Sequence, residues 1–239
     1  MLVLKFGGSS VANATNMSRV LDIVQDKAQK DSVILVSSAI SGCTDSLIET
    51  GRRAACGEDF GAVISSLRSK HSAIVSRLFT GEERNGVQKH CDGVFGELEE
   101  LASGIASRES ISSDEAELIQ TFGEILSTRI LAAKLRTELS GVLWIDSREI
   151  IVKGDDATTF SNILSATSDK SIRIFVAPGF VAAAVSEDGY VEAIEPEDRS
   201  RFILGVQWHP ERTTLAFRGD RAVDGMGVWR EFLRLCQNF

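Results

Sequence analysis

MLVLKFGGSS, residues 1–10, places an apolar run containing one lysine directly before two glycines and two serines. Residues 2–6 predict a short buried strand, and the apolar residues that follow the glycines recur at helical spacing: Met17, Val20, Leu21, Val24 and Ala28. A second strand is predicted at 32–37, where SVILVS leads into another loop of small residues, SAISGCTD at 38–45. This order of strand, loop, helix and strand predicts an α/β fold with a mainly parallel central sheet flanked by helices.

The two loops of small residues are the first candidate for a binding site. Both follow a predicted strand, and ligands of open parallel sheets bind beyond the carboxyl ends of the strands. Gly7 and Gly8 let backbone N–H groups approach an anion, and Lys5 supplies a cation beside them. In the alternative, the glycines form only a turn and Lys5 reaches solvent from the end of its strand. The stretch does not match the GxxxxGK[ST] phosphate loop.

A helical region is predicted between the second loop and residue 105. Apolar residues at helical spacing supply its core positions: Leu47, Ile48, Val63, Ile64, Leu67, Ile74, Val75 and Leu78. We interpret His71 and His90 within this region as structural or surface residues rather than ligands.

One long amphipathic helix is predicted from about 113 to 139. Ser112 and Glu115 form a capping box before it, and its buried stripe is Leu118, Ile119, Phe122, Ile125, Leu126, Ile130 and Leu135. A lone glutamate such as Glu124 on this helix normally lies on the solvated face. Its neighbour Gly123 favours another role, because glycine weakens a helix and normally marks the close approach of another element. Further strands are predicted to start near 142 and 172.

Four motifs in order carry a resemblance to a known family: KFGGSSVAN at 5–13, VSSAISGCTDSLI at 36–48, FGEILS at 122–127 and WIDSREII at 144–151. Together they resemble the aspartate kinases of the amino-acid kinase family, including the kinase half of bifunctional aspartokinase/homoserine dehydrogenases. The resemblance covers residues 1 to roughly 180. It implies an amino-acid-kinase-like fold and ATP-dependent phosphorylation of the aspartate side-chain carboxylate with Mg²⁺, an early step in amino-acid biosynthesis.

The resemblance also implies roles for particular residues. Lys5 would hold the transferring phosphates, and Gly7, Gly8 and Ser9 would cradle them. Glu124 would receive the ammonium group of aspartate, and the remaining substrate contacts would come from Ser38, Thr44 and Phe180. Lys5 and Glu124 are therefore the candidate catalytic residues, and no protein metal ligand is assigned. Arg148 is left open between a phosphate contact and an ion pair with an acid.

The last part of the chain resembles a different family. Residues 177–212 are similar to the end of class I glutamine-amidotransferase-like hydrolases, notably the γ-glutamyl-γ-aminobutyrate hydrolases. This predicts a C-terminal β-hairpin that turns at Asp188-Gly189, a strand and a final helix, with tail strands near 181, 190 and 202. His209 and Glu211 would be the family's catalytic histidine and glutamate. We therefore divide the chain into an aspartokinase-like lobe, 1–176, and an amidotransferase-like segment, 177–239.

Both resemblances are incomplete. None of the four cysteines has the flanking glycines of the hydrolase nucleophile, so the second reading is a γ-glutamyl hydrolase-like protein that lacks its nucleophile. The glycine- and threonine-rich loop that clamps the substrate's α-carboxylate in aspartate kinases does not follow PGF at 178–180, and these 239 residues contain no nucleotide lobe. We expect weak kinase activity at best, unless Arg148, Arg199 or Arg201 replaces the clamp. A third reading is a non-catalytic module that binds an anion or a nucleotide.

Composition limits the partners. The formal net charge of −8 argues against nucleic acid and anionic membranes, since both require a basic face. The four cysteines form no CxxC pair, which favours free thiols in a reducing compartment. No signal peptide is recognised, and we expect a cytoplasmic protein whose partners are ATP and aspartate. A homodimer is the one assembly that we hold open.

Overall fold

The computed structural model describes residues 2–152 and 155–179, together with the backbone of two short strands at 193–194 and 205–206. The chain packs as two compact units, Met1–Phe180 and Val181–Phe239. The first unit contains a four-stranded sheet. Its strands are β1 (Leu2–Phe6), β2 (Val33–Ser37), β3 (Val142–Trp144) and β4 (Ile174–Pro178). All three pairings are parallel and the order is β1-β2-β4-β3, which confirms the predicted sheet.

Among the described residues, one α-helix of this unit lies between β1 and β2, four lie between β2 and β3, and two lie between β3 and β4. They are α1 (Ala14–Ala28), α2 (Cys43–Ala55), α3 (Gly61–Leu78), α4 (Gly81–Arg108), α5 (Ser113–Glu138), α6 (Ser147–Ile150) and α7 (Asp156–Ala166). The region predicted as helical before residue 105 thus contains three helices, α2 to α4. In the part of the chain that the structure describes, no helix is both long enough and apolar enough to cross a membrane.

The hydrophobic core lies on one face of the sheet. Residues alternate between the two faces of a strand, so Val33 and Leu35 of β2 point to the same side as Ile174 and Val176 of β4. All four are buried and belong to one cluster with the apolar faces of α1 to α5. The opposite face begins with Val3, which is 42% exposed, on the outer strand β1. On the inner strand β4, by contrast, Phe175 of this opposite face is buried.

Helix α5 organises the core, and its start confirms the predicted capping box. The Ser112 hydroxyl accepts a hydrogen bond from the Glu115 N–H, and the Glu115 carboxylate accepts one from the Ser112 N–H. The helix then runs unbroken to Glu138 and packs against β4, α2 and α4. Its central residues, from Phe122 to Thr128, are all buried.

Two predicted core positions are wrong. Ile48 is 50% exposed, because the buried residues of α2 form a stripe at positions 43, 47, 50, 51 and 54, and Ile48 lies beside that stripe. Leu118 is 36% exposed. None of residues 113–118 is buried, so the first turns of α5 extend beyond the helices that cover its centre.

The second unit is described only through one strand pair. Strands β5 (Ala193–Ile194) and β6 (Gly205–Val206) are antiparallel, and Ala193 pairs with Val206. They lie near the tail strands predicted at 190 and 202. The predicted strand near 181, the turn at Asp188-Gly189 and the final helix lie outside the described residues. The boundary that we placed between residues 176 and 177 stays a prediction.

Candidate active site at the carboxyl edge of the sheet

The loops after β1 and β2 are held together through their backbones. The Ser38 N–H donates to the Phe6 carbonyl at 3.0 Å, and the Ser41 N–H donates to the Gly8 carbonyl at 3.2 Å. A Cβ atom on Gly8 would lie 2.8 Å from the Ala39 carbonyl oxygen, closer than a side chain tolerates. Gly8 is therefore required for the contact between the two loops. Among the described residues, no atom lies within 4 Å of a Cβ placed on Gly7, so they leave space beside Gly7 for a ligand.

The first loop presents backbone donors beside that space. Gly8–Val11 form a short 3-10 helix in which the Ser10 N–H bonds to the Gly7 carbonyl at 2.9 Å. The N–H groups of Gly8 and Ser9 precede Ser10, the first donor of this turn, so the turn itself does not satisfy them. The Asn16 side chain holds the loop from α1 by donating to the Ser9 carbonyl at 2.8 Å.

Lys5 and Glu124 interact electrostatically at this edge. Lys5 retains solvent exposure, but burial around its ammonium lowers its pKa, and the negative charge of Glu124 opposes that shift. Glu124 is only 8% exposed, although it belongs to α5 rather than to a strand. The alternative of a solvated surface glutamate is therefore wrong.

The surroundings of Glu124 connect the ends of β2 and β4. A Cβ atom on Gly179 would lie 3.6 Å from Glu124 Oε1 and 3.4 Å from the Ser37 carbonyl oxygen, so this glycine lies against both groups. The Gly179 N–H donates to the Ser37 carbonyl at 3.1 Å. One turn after Glu124, the Ser127 hydroxyl donates to the Ser38 carbonyl at 2.8 Å. Helix α5 thus reaches the second loop directly.

Gly123 makes this approach of α5 possible. A Cβ atom there would lie 2.8 Å from the Ala39 Cβ and 3.1 Å from both Cys43 Sγ and Leu47 Cδ1. The close approach inferred from this glycine is present. It places Glu124 beside the loop after β2 and the first turn of α2, where Thr44 is half-buried. Seven of the predicted residues, Lys5, Gly7, Gly8, Ser9, Ser38, Thr44 and Glu124, therefore lie on elements that meet at one edge.

The sequence did not point to two contributors to this edge. Lys70 of α3 donates a hydrogen bond from Nζ to the Ser41 carbonyl and adds a second cation near the second loop. Ser127 lies inside the FGEILS motif, but the motif does not say which backbone group its hydroxyl binds. Lys70 carries no local signal, because it is one exposed lysine on a helix and its partner is distant in sequence.

Of the other candidate residues, Arg148 follows the carboxyl end of β3 and is engaged by an acid, and the rest lie outside the described residues. Arg148 pairs with Asp146 through Nε, at 3.0 and 3.2 Å, and through a second nitrogen at 2.6 Å. Burial alone would raise the Asp146 pKa, but these hydrogen bonds outweigh it and lower that pKa. The sequence leaves Arg148 open between a phosphate contact and an ion pair with an acid, and in the structure it forms the ion pair. Phe180, His209 and Glu211 lie outside the described residues.

The described cysteines are free thiols, Cys43, Cys56 and Cys91, in agreement with the prediction. Burial raises the pKa of both Cys43 and Cys91 to about 12. Neither forms the thiolate that a hydrolase nucleophile requires near neutral pH. Across residues 2–152 and 155–179, no three His, Cys, Asp or Glu side chains gather as a metal-binding group.

Comparison with known proteins finds aspartokinases among the relatives of this chain. The chain is 34% identical over 168 residues to chloroplastic aspartokinase 1 of Arabidopsis thaliana, covering 69% of this chain and 28% of the relative. It is 27% identical over 222 residues to an aspartokinase of Chlamydia trachomatis, covering 85% of this chain and 45% of the relative. The chain thus spans less than half the length of these relatives.

The fold matches solved structures of the same kind. A crystal structure of Escherichia coli aspartokinase III in complex with aspartate and ADP superposes with a TM-score of 0.63 at 23% identity, covering 80% of this chain and 42% of that one. At this identity the likeness concerns the fold.

The family match extends past the predicted boundary. The model of the amino acid kinase family matches residues 1–216, which include most of the segment that we compared with amidotransferases. The amidotransferase-like resemblance gains no support from these matches, and the roles of His209 and Glu211 remain predictions. With nine tenths of its residues matched to one family model, the chain belongs to the amino acid kinase family.

Proposed function

We propose that this chain forms the substrate- and phosphate-binding part of an aspartate kinase, which transfers the γ-phosphoryl group of ATP to the aspartate side-chain carboxylate. One observation carries the proposal. The loops after β1 and β2, the end of β4 and the buried Glu124 of α5 meet at the carboxyl edge of a parallel sheet. The relatives named above are aspartokinases, and one of their structures contains aspartate and ADP.

The described residues suit such a transfer in physical terms. Joining two anions requires positioning and neutralisation of charge more than covalent chemistry. Lys5 and the backbone donors of Gly8 and Ser9 would neutralise the phosphates beside the open space at Gly7. Glu124 would bind the substrate ammonium and thereby orient aspartate toward them. Ser38 and Thr44 line the same edge and would contact the substrate from the second loop.

ATP would supply the phosphoryl group, and Mg²⁺ would enter with it. Mg²⁺ in nucleotide sites is commonly held by substrate phosphates with only one or two carboxylates. We therefore include Mg²⁺ in the proposal as a companion of the nucleotide and assign it no cluster of protein ligands. The homodimer and the cytoplasmic location also remain predictions.

The direct test measures aspartyl phosphate, trapped with hydroxylamine, when the 239-residue chain is saturated with MgATP and aspartate. We expect a slow but measurable rate, because the loop after PGF lacks the carboxylate clamp and a substrate that swings loses much of the benefit of orientation. Turnover in the kinase range of about 1–100 s⁻¹ would contradict the expected weakness. Binding of both ligands with no product would instead favour the non-catalytic module.

A Lys5→Ala chain is expected to bind MgADP about tenfold to a hundredfold more weakly, because a hydrogen bond to a charged group contributes about 1.5–3 kcal/mol. Isothermal titration measures the change. Lys30→Ala is the matched control, because Lys30 precedes β2 at the opposite edge of the sheet. Equal nucleotide affinity in the two variants would remove Lys5 from the phosphate site.

A Glu124→Gln chain is expected to lose about tenfold or more of its affinity for aspartate, because the neutral amide attracts the substrate ammonium less strongly. Its affinity for MgADP should change little. Glu100→Gln is the control, because it removes the same charge from an exposed residue of α4. Titrations with aspartate and with MgADP separately measure both affinities. Unchanged aspartate affinity in Glu124→Gln would contradict the assignment of Glu124 to the substrate ammonium.

A further inference from the structure

A second cleft lies between α4, α5 and β3. It has a volume of about 430 Å³ and is lined mostly by apolar side chains, among them Phe79, Val87, Ala132 and Trp144. Two guanidinium groups, those of Arg129 and Arg136, also line it. Small-molecule sites are typically concave, mainly apolar and a few hundred Å³ in volume, with a small number of fixed polar groups. None of the residues assigned above to phosphate or aspartate lines this cleft.

Arg129 is held at the cleft by an aromatic ring. Its guanidinium stacks over the Trp144 ring at 3.9 Å from the ring centroid. The Trp144 ring is fixed in turn, because its Nε1–H donates to the Thr128 hydroxyl at 3.0 Å. Arg129 Nε is buried, and no hydrogen-bond acceptor lies within reach of it among the described residues. Because Nε is enclosed, the N–H groups that Arg129 can present to a ligand in the cleft are those of its terminal nitrogens.

The charges around the cleft favour an anion. Arg136 uses Nε to donate to the Val142 carbonyl at 3.2 Å, which leaves its terminal nitrogens for another acceptor. Asp146 does not line the cleft and is paired with Arg148, although the charge of Arg129 also contributes to the lowered Asp146 pKa. Glu83 is the acidic residue among the lining groups, and it is exposed at the rim. Two planar guanidinium forks beside apolar walls match a planar carboxylate attached to an apolar body.

We propose that this cleft binds a small carboxylic acid with a flat apolar body, with its carboxylate on Arg129 and its body between Phe79, Val87 and Trp144. The inference does not rest on the proposed kinase activity. The cleft shares no residue with the phosphate loop, so the two proposals fail independently.

The test uses 3-phenylpropanoate as the probe and the uncharged 3-phenylpropanol as its counterpart of similar shape. The signal is the indole N–H resonance of Trp144, identified by its loss in Trp144→Phe. We expect a saturable shift of this resonance and an affinity for the carboxylate at least tenfold higher than for the alcohol. Arg129→Gln should reduce carboxylate affinity at least tenfold. The affinity of Arg129→Lys should lie between those of the unaltered chain and Arg129→Gln.

Arg52→Gln is the control, because Arg52 lies on α2 in an exposed ion-pair cluster with Glu49 and Glu58 and does not line the cleft. It should bind 3-phenylpropanoate as the unaltered chain does. The proposal is overturned if the alcohol binds as tightly as the carboxylate, if the Trp144 resonance does not respond, or if Arg129→Gln binds the probe unchanged while its amide spectrum remains that of the folded chain.

Discussion

A Gly123→Val chain is expected to lose about 3 kcal/mol of its free energy of unfolding. The added Cβ would lie 2.8 Å from the Ala39 Cβ and 3.1 Å from Cys43 Sγ and Leu47 Cδ1. All three neighbours are buried, with exposures of 0–4%, so they have little room to move. Helix propensity acts in the opposite direction, because glycine costs about 1 kcal/mol relative to alanine. The overlap is expected to outweigh that gain, since valine also adds two γ-carbons.

Denaturant unfolding measures this loss, and Gly93→Val is the matched control. Gly93 lies within α4, is exposed, and a Cβ there would meet no atom of the described part of the chain within 4 Å. Its unfolding free energy should change by no more than about 0.5 kcal/mol. Similar losses in the two variants would show that the close approach of α5 to the second loop does not determine the effect. Gly123→Val should also weaken aspartate binding, because Glu124 is the next residue.

Replacement of His71 is expected to flatten the dependence of stability on pH. Its side chain is fully buried on α3, and its Nδ1–H donates to the Leu67 carbonyl at 2.8 Å. Burial lowers the His71 pKa from 6.5 to about 4; the bond to Leu67 opposes this shift and the charge of Lys70 adds to it. The folded protein therefore keeps this ring neutral at a pH where the unfolded chain protonates it.

The sign of the effect follows from proton binding. Between about pH 6.5 and pH 4 the unfolded chain binds one more proton at His71 than the folded chain, so stability falls as the pH falls. Above that window the contribution is fully present. The loss across the window is on the order of 3 kcal/mol. Urea unfolding of His71→Leu between pH 7.5 and 4.5 should therefore show a shallower slope than the unaltered chain.

His90→Gln is the control for this experiment, because His90 is exposed on α4. It should keep the slope of the unaltered chain. If His71→Leu and the unaltered chain lose stability in parallel as the pH falls, the buried ring is not the group responsible. The variants are compared by the slope of unfolding free energy against pH and not by their stability at pH 7.5, because the slope measures the difference in protons bound by the unfolded and folded chains.

Local patterns account for the elements that were predicted correctly. The alternation of apolar residues in 2–6 and 32–37 and the capping box at Ser112 and Glu115 depend on residues within a few positions of one another. Such signals do not depend on the partner of each element. The same limitation explains Ile48, which is apolar and at helical spacing, yet lies beside the stripe of α2 that packs inward.

Gly123 shows how much a single residue can predict about tertiary contacts. A glycine inside a capped amphipathic helix predicts that something approaches closely, and Ala39, Cys43 and Leu47 do so. The sequence does not identify the element that approaches, because the cost of glycine to the helix does not depend on which neighbour packs against it.

By itself, the sequence determined the strands, the long helix, the parallel α/β class and the motifs that the family shares, because periodicity and turn chemistry are local. Only the tertiary structure decided the order β1-β2-β4-β3, the bond from Lys70 to Ser41, the position of Gly179 against Glu124, and the cleft that joins Arg129 to Trp144. These contacts form between elements far apart in the chain. Their geometry arises from how the helices pack on one face of the sheet, and no local pattern records it.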